Sequence, residues 1–408
     1  MSAESVQRVE QVRRDVLSDP SALPLQAVEA AERRGLHALV QTLLNNADLS
    51  DETLFSALAL RIHRWQQQSL PAVRVLARRP GTAERTHQSW QTLPGIPISA
   101  LLGGESAGLH TLEPSLLDLE ARPVRSSCAG VWLDDAALVL HLKQRLFPDR
   151  QGCRLIGLAR VPEHPEPRTL PWVLRVLEQT FDTGPAEWLA EPAGVPPMRL
   201  LRALELAALG GEPTLLIGSR TGVRQALSTL ELARQTLPLP LGSRLLLIEP
   251  ALTGLQALHD PSFLDAIGSR LGVPESHVVG MLQRFCSPGM LFTDALSAWA
   301  EERAPAKGWC LPPWMRACAL EPETLMPLPS GHSGMILSVN VARVDRPLAL
   351  LEEQPGLVGE DGSLYFLAHG LEDAADERLW TDPPARWSYE LSIPEEATPP
   401  RRLEHASR

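Results

Sequence analysis

Few of the potentially reactive side chains in this sequence have the neighbouring residues that catalysis or metal binding needs. Cys286 stands in a Phe-Cys-Ser-Pro-Gly turn and is a potential thiol nucleophile, but no base lies beside it. His332 and His369 each lack an adjacent carboxylate, which is typical of surface histidines. The five cysteines are scattered without the paired spacing of a zinc site. These residues therefore predict no metal centre, and Cys286 is better interpreted as a small buried hydrophobe.

Two short turns have the composition of anion-binding loops. Ser126 and Ser127, followed by Gly130, precede a helix that the sequence predicts over residues 134–147. Residues 218–222, Gly-Ser-Arg-Thr-Gly, join a predicted strand to a predicted helix. Backbone N–H groups and hydroxyls of such turns can bind phosphate, and glycine permits its close approach. Taken alone, however, each turn is better interpreted as an ordinary connection that leads into a helix and caps it.

Composition limits the class of protein. A chain of 408 residues holds one large domain or two with an ample core. The net charge of -11 disfavours nucleic acid and anionic membranes as partners. No run reaches about 18 apolar residues, the first residues lack an apolar signal core, and an odd cysteine count suits a reducing compartment. We therefore expect a cytoplasmic globular protein without a membrane span.

The pattern of apolar residues predicts three regions in chain order. Residues 26–44 are predicted helical, and Asp51 is the predicted N-cap of a second helix. From Arg154 strands and helices alternate, which predicts βαβ units and a largely parallel sheet: strands over 154–158, 214–218 and 244–248, and helices over 172–181, 198–209 and 223–235. Short strands over 315–320, 335–341 and 364–367, with a hairpin turn at 360–362, predict a β-rich terminal module.

Two blocks about 200 residues apart resemble one known family. Residues 89–100 read Ser-Trp-Gln-Thr-Leu-Pro-Gly-Ile-Pro-Ile-Ser-Ala, where the prolines favour an extended crossover. Residues 308–370 contain Pro-Pro-Trp-Met-Arg, Pro-Ser-Gly-His-Ser-Gly-Met-Ile and Glu-Asp-Gly. Together they resemble adenylate-forming enzymes, and within that superfamily the LuxE-type acyl-protein synthetases (long-chain-fatty-acid protein ligases). The resemblance implies an α/β domain over 86–371, preceded by a helical segment over 1–85 and followed by an acidic, Pro-rich tail over 372–408.

The same resemblance implies an ATP site in which several groups are replaced. Ser126, Ser127 and Gly130 match the phosphate loop of the family, although two threonines and one glycine of that loop are missing. Gln354 stands where the family has the aspartate that holds the ATP ribose. Arg284 lies where the family has a phosphate-binding threonine and a Mg²⁺-binding glutamate, and its charge can still attract phosphate.

These replacements predict a LuxE-like homologue that is catalytically degenerate. It would act as a binding or regulatory partner in an acyl-transfer or fatty-acid-reductase-type assembly. The implied protein partners are an acyl-CoA reductase, a carrier protein or an active paralogue, and self-association into a homo-oligomer stays open. The alternative is an active ATP-dependent fatty acyl-protein ligase with a divergent nucleotide site. ATP and Mg²⁺ are expected as cofactors only under that alternative, and no catalytic residue is assigned.

Overall fold

The computed structural model describes residues 25–46, 49, 51–70, 73, 88–97, 128–159, 161, 170–184, 186–191, 194–249, 260–282 and 291–366. All of them belong to one compact unit that spans Met1–Ala375. The described helices are α1 (Leu25–Asn46), α2 (Glu52–Ser69), α3 (Cys128–Leu146), α4 (Leu170–Phe181), α5 (Pro197–Gly210), α6 (Arg220–Leu232), α7 (Pro261–Leu271) and α8 (Ala295–Ala300). None of these helices is long and apolar enough to cross a membrane.

A six-stranded and mostly parallel sheet forms the first layer, as the alternation of strands and helices predicts. Its strands are β2 (Arg154–Gly157), β3 (Glu187–Trp188), β4 (Thr214–Ser219), β5 (Arg244–Glu249), β6 (Val278–Leu282) and β7 (Leu291–Phe292). They lie in the order β3-β2-β4-β5-β6-β7, and of these strands only β7 runs antiparallel to its neighbour. Every residue of β6 is buried, which explains why this strand is a continuous apolar run.

The second layer is the predicted β-rich module. Its strands are β8 (Met315–Leu320), β9 (Gly334–Asn340), β10 (Ala349–Val358), β11 (Leu364–Phe366) and the short β1 (Ile96–Pro97). Strands β8 to β11 pair antiparallel, whereas β1 joins parallel to β10 with Ile96 opposite Leu350. The predicted turn between β10 and β11 is present, and Gly362 adopts a φ of 76°, which favours glycine.

The crossover that leads into β1 is only partly extended. Ile96–Pro97 forms the predicted strand, but Trp90–Thr92 is a 3₁₀ turn, so the prediction of an extended segment is wrong there. The cause is local, because the backbone N–H and the hydroxyl of Thr92 both donate to the carbonyl of Ser89, at 3.2 and 2.9 Å. Gly95 follows, and a Cβ at this position would lie 2.8 Å from Leu337. The glycine therefore lets the crossover lie flat on the second sheet.

Helix α3 packs on both sheets. Its first half contributes Leu133 and Ala137 to a core shared with α1, α2 and strands β8 to β10. Its second half contributes Leu138, Leu142 and Leu146 to a core on one face of the parallel sheet, together with α4 and α8. A third core, with α5, α6 and α7, covers the opposite face of that sheet. Because α3 belongs to two of the three cores, it sets the position of one sheet relative to the other.

The segment between β9 and β10 is anchored on the N-terminal helices. Gln66 of α2 is fully buried, and its amide nitrogen donates to three carbonyl oxygens of this segment, those of Arg343 (2.7 Å), Val344 (2.9 Å) and Arg346. Its amide oxygen accepts from the backbone N–H of Leu348 at 3.1 Å. Arg33 of α1 binds the carboxylate of Asp345 through two nitrogens, at 2.9 and 2.8 Å. The helical segment is therefore tied by buried polar contacts to the β-rich module.

Replacing Gln66 with leucine should lower the free energy of unfolding by about 3 kcal/mol, because several buried backbone groups would lose their partners. The neighbouring Gln67→Leu variant, on the same helix turn, should change it by less than about 0.5 kcal/mol. Urea denaturation of both variants and the unmodified chain gives the comparison. Equal stabilities of the two variants would show that the Gln66 contacts do not hold this segment.

Candidate functional site

Strand β10 contains a bulge at the position that the family resemblance assigns to ribose binding. Glu352 pairs with Ile336 of β9, and Pro355 pairs with Met335, the adjacent residue. Glu353 and Gln354 therefore have no partner on β9. Proline cannot donate a hydrogen bond to the ladder and is confined to bulges and edges within sheets, so Pro355 accounts for the interruption. Bulges are over-represented beside active sites, and this one is the described feature that marks the position of Gln354.

Glu352 and Gly356 flank this bulge on either side. Glu352 is 6% exposed, so it is a buried carboxylate within a strand. At Gly356 a Cβ would lie 2.5 Å from the carbonyl oxygen of Tyr365 and 2.8 Å from Ile336, which only glycine avoids. The sequence interpretation passed over Glu352, although a Glu-Glu pair inside a strand is an unusual signal.

Helix α3 begins earlier than the sequence predicts. The expected start was residue 134, but the helix starts at Cys128, so Gly130 lies in its first turn and not in a preceding loop. Ser126 and Ser127 lie outside the described residues. The apolar run from Val131 continues the helical pattern of 134–147, and the charged pair that follows it does not interrupt a helix. Gly130 thus lies at a helix N-terminus, a position that suits anion binding.

The first half of α3 and the first half of β10 lie in one core. Leu133 of α3 and Leu351 of β10 are both members of it, at 1% and 6% exposure. Gly130 precedes Leu133 by about one helical turn, and Gln354 follows Leu351 by three positions. Gly130 and Gln354 therefore lie on two elements that contribute to the same core. We use the name nucleotide-type site for the predicted site positions on these elements, in the first turn of α3 and in the bulge of β10.

The parallel strands end at an edge where open α/β sheets usually bind ligands. Strand β5 ends at Glu249, which pairs with Leu282 at the end of β6. Arg284 follows β6 closely in sequence but lies outside the described residues. Met281 and Leu282, within the segment that the family uses for adenine and Mg²⁺, are 0% and 1% exposed. The described part of that segment is therefore apolar core.

Apolar side chains pack over the switch point of the parallel sheet. Strand β2 is followed in sequence by β3 on one side, whereas β4 lies on its other side, so the strand order reverses between β2 and β4. A Cβ at Gly157 would lie 2.0 Å from the ring of Trp188, and a Cβ at Gly218 would lie 3.1 Å from Leu158. Both glycines make room for these apolar side chains at the place where a doubly wound fold commonly holds a ligand.

A charged cluster at the same edge was not predicted. Arg220 and Arg224 of α6 both bind the carboxylate of Asp260, at 2.8 and 3.1 Å, and both lie over the ring of Phe263. Hydrogen bonds from Ser262 and the Phe263 amide, aided by the two arginine charges, outweigh partial burial and hold the pKa of Asp260 below its usual value. The signals were an Asp-Pro helix start and arginines four residues apart.

The turn at 218–222 serves as a helix cap. The hydroxyl of Ser219 accepts a hydrogen bond from the backbone N–H of Gly222 at 3.1 Å. It thereby satisfies one of the N–H groups that an anion would otherwise bind. The structure thus agrees with the interpretation of this turn as an ordinary connection between a strand and a helix.

Burial disfavours thiol chemistry at the described cysteines. It raises the pKa of Cys153 and Cys318 to about 12 and that of Cys310 to about 11. These groups are thiols at neutral pH, and the thiolate is the nucleophile. Cys286 and His369 lie outside the described residues, and His332 is exposed. Among the residues that the structure describes, no group of three His, Cys, Asp or Glu side chains is placed to hold a metal ion.

Comparison with known sequences gives one short similarity. No protein-family model matches the chain. The long-chain-fatty-acid–luciferin-component ligase of Vibrio harveyi is 41% identical over 51 residues. That stretch is 12% of this chain and 14% of the ligase, so most of the relative's length has no counterpart in the match.

Comparison with solved structures identifies the fold. An open conformation of 2-hydroxyisobutyryl-CoA ligase, in complex with 2-HIB-AMP and CoA, superposes with a TM-score of 0.51 at 13% identity, over 86% of this chain and 79% of that one. An amide bond synthetase of Marinactinospora thermotolerans is less similar, with a TM-score of 0.38 at 16% identity over 58% of this chain and 44% of that one. A long-chain-fatty-acid-CoA ligase of Archaeoglobus fulgidus has a TM-score of 0.39 at 11% identity, over 59% of this chain and 47% of that one. The likeness to the hydroxyisobutyryl ligase confirms the predicted adenylate-forming type of α/β fold.

Asp260 tests the charged cluster. Because its pKa is lowered in the folded chain, its charge stabilises above the unfolded value of about 3.9, and the contribution is lost as the pH falls through the folded pKa. Asp260→Asn keeps a capping side chain and removes the charge, whereas Asp260→Ala should cost about 1 kcal/mol more through the lost cap. Urea denaturation should show the deficit of the Asn variant becoming smaller as the pH falls from neutral to about 3. A deficit that is the same at both pH values would exclude the charge as its cause.

Proposed function

We propose that this chain is a LuxE-like homologue of the acyl-protein synthetases that binds a partner protein and does not itself adenylate fatty acids. The adenylate-forming fold and the short similarity to the Vibrio harveyi ligase support the relationship. The observation that carries the proposal is the bulge of β10, which keeps its backbone frame around Gln354 but offers a neutral side chain there. A neutral amide lacks the charge-assisted strength with which a carboxylate holds a ribose hydroxyl.

The segment that the resemblance assigns to adenine and Mg²⁺ does not fit the metal. An acyl adenylation needs a carboxylate for the metal, donors for the triphosphate and a group for the developing charge. Residues 280–286 read Gly-Met-Leu-Gln-Arg-Phe-Cys, with no carboxylate, and Met281 and Leu282 are buried in β6. Loss of a single stabilising group of this kind costs about 2.7–4 kcal/mol of barrier, so several replacements together should leave little turnover.

Pyrophosphate release tests the proposal. The purified full chain, offered ATP, Mg²⁺ and fatty acids of several lengths, should release no pyrophosphate above background. The Ser126→Ala/Ser127→Ala double variant should behave the same. Acyl-dependent release by the unmodified chain that the double variant abolishes would instead establish an active ligase with a divergent site.

Nucleotide binding can be measured separately from turnover. A ligand present at a hundred times its Kd would raise the free energy of unfolding by about 2.7 kcal/mol. We expect a smaller stabilisation by ATP with Mg²⁺, and an increase for Gln354→Asp, which restores the carboxylate that the family uses for ribose. An unchanged response of that variant would show that Gln354 does not face a nucleotide.

Exposed apolar side chains support a role in binding protein. Three leucines on the described surface are more than four fifths exposed: Leu209 (84%), Leu232 (87%) and Leu241 (98%). Leu209 and Leu232 lie at the C-terminal ends of α5 and α6, and Leu241 precedes β5. Partners of the class expected from the resemblance are an acyl-CoA reductase, a carrier protein or an active paralogue, and a second copy of the chain would also cover such residues.

Removal of the residues after Leu371 tests the tail. That segment carries Trp380 and Trp387 among prolines and acidic residues, and large aromatic side chains are common anchors of protein interfaces. The truncated chain should differ from the full chain in oligomeric state, measured by light scattering, or in capture of an acyl-CoA reductase or carrier protein. Identical behaviour in both measurements would exclude the tail as the binding element.

A further inference from the structure

A cleft of about 810 Å³ lies between the second half of α3, α8 and the β-rich module. Residues 140–148 form one side of it, α8 and Arg303 form another, and residues 311–317 with Val358 and Gly362 complete it. A volume of this size is ordinary for a small-molecule site. Among the described residues that line it, neither Gly130 nor Gln354 occurs.

The cleft is separate from the nucleotide-type site. Strand β10 runs from the bulge at Gln354 to Val358, which is about 13 Å for an extended chain. Gly362, in the turn beyond Val358, also lines the cleft. Strand β7 runs antiparallel to β6 and leads into α8, so α8 lies towards the edge where the parallel strands begin. The cleft therefore lies towards the edge where the parallel strands begin, at the opposite end of the sheet from the edge where those strands end.

The walls of the cleft are mostly apolar. Leu140, Leu311 and Val358 are partly exposed there, whereas Phe147, Pro312 and Met315, which also line it, are buried. Pro312 and Pro313 lie together in the chain and stiffen the wall that leads into β8. Because this apolar wall is already formed, binding of the hydrocarbon part of a ligand costs the protein little conformational entropy.

Positive charge collects at one end of this cleft. Arg145 and Arg303 line it and share a single carboxylate, that of the buried Asp294, with contacts of 2.5 and 2.9 Å. Arg303 also binds Glu301 at 2.5 Å, but both side chains are substantially exposed and such a pair is weak. Lys143 lines the rim and is exposed. Three cations thus face one buried and one solvated carboxylate, in a chain whose net charge is -11.

Asp294 does not use up the capacity of Arg145 to donate. Burial alone would raise the pKa of Asp294, but hydrogen bonds from Arg303 and the Ala306 amide, with the two arginine charges, hold it below its usual value. The Nε of Arg145 is buried and has no hydrogen-bond partner among the described residues. Lys143 and Arg145 end α3, and their two charges exceed the partial charge of about -0.5 at a helix C-terminus.

Arg316, in contrast, has a structural role. It donates to the carbonyls of Pro313, Met315 and Leu49 at 2.6–2.9 Å and lies over the ring of Phe55. It therefore ties the wall of the cleft to α2 and is not counted among the cations available to a ligand.

We propose that this cleft binds a small amphipathic anion, with a carboxylate or phosphate head at Lys143 and Arg145 and an apolar body along Leu140, Leu311 and Val358. The cation cluster supplies charge-assisted hydrogen bonds to the head. The apolar walls select ligands that carry a hydrocarbon part. This inference does not rest on the proposed function, because neither Gly130 nor Gln354 is among the described residues that line the cleft.

Calorimetric titration of the full chain with four probes tests this site. Decanoate and decyl phosphate carry both parts, decanol lacks the charge, and acetate lacks the apolar body. We expect binding of decanoate or decyl phosphate, with decanol and acetate each at least about tenfold weaker. The two charged probes also distinguish a carboxylate site from a phosphate site. Equal binding of decanol and decanoate, or no binding of either charged probe up to millimolar concentration, would overturn the proposal.

Variants then locate the binding. Lys143 is exposed, so the Lys143→Gln variant should fold normally, and it should bind decanoate or decyl phosphate several-fold more weakly. The Arg145→Gln variant should bind them about tenfold more weakly. The control is Arg202→Gln, an exposed arginine of α5 on the other face of the parallel sheet, which should leave the affinity unchanged. Equal affinities of Lys143→Gln and Arg202→Gln would place the probes elsewhere. Addition of ATP with Mg²⁺ should not displace the probes, and displacement would assign them to the nucleotide-type site.

Discussion

The packing of α3 against both sheets is the contact on which the rest of this structure depends. Near its centre, buried His141 lies between Phe292 of the parallel sheet and Trp314 beside the β-rich sheet, with ring centroids 4.9 and 5.8 Å apart. No other described helix contributes to both of these two cores. A shift of α3 would therefore move its first turn, which carries Gly130, and the cleft at its far end together.

Buried ionic contacts fix the C-terminal end of the same helix. Arg244 at the start of β5 is 0% exposed, and it donates to the carbonyl of Leu146 and to both carboxylate oxygens of Asp149, each at 3.1 Å. On the other side Arg145 binds the buried Asp294. A buried charge that loses its partner costs several kcal/mol, so these contacts specify one position for the helix end more strongly than apolar packing alone. The shape of the cleft follows from that position.

Local patterns predicted the elements well, and long-range polar contacts were beyond them. Asp51 was predicted as a helix cap and accepts from the N–H groups of Thr53 and Leu54, because capping needs only residues a few positions apart. Gln66 gave no signal, since its partners lie about 280 residues away and a glutamine in a helix is ordinary. The same holds for Arg145 with Asp294. Asp260 and the two arginines of α6 each stood in a local pattern, but no local pattern pairs them with each other. The fold class was therefore accessible from the sequence, whereas the cleft and the charged cluster were not.

The bulge of β10 leaves position 354 without a partner in the strand ladder. Glu353 and Gln354 have no ladder partner on β9, and the ladder hydrogen bonds on either side are made by backbone groups whatever the side chain at position 354. The neighbours that shape the bulge act through the backbone: Pro355 lacks a donor, and Gly356 leaves room for the carbonyl of Tyr365. Architecture and chemistry thus depend on different residues at this site. Resemblance of turns is accordingly a sound guide to the fold here, whereas activity has to be judged from the side chains at positions such as 354.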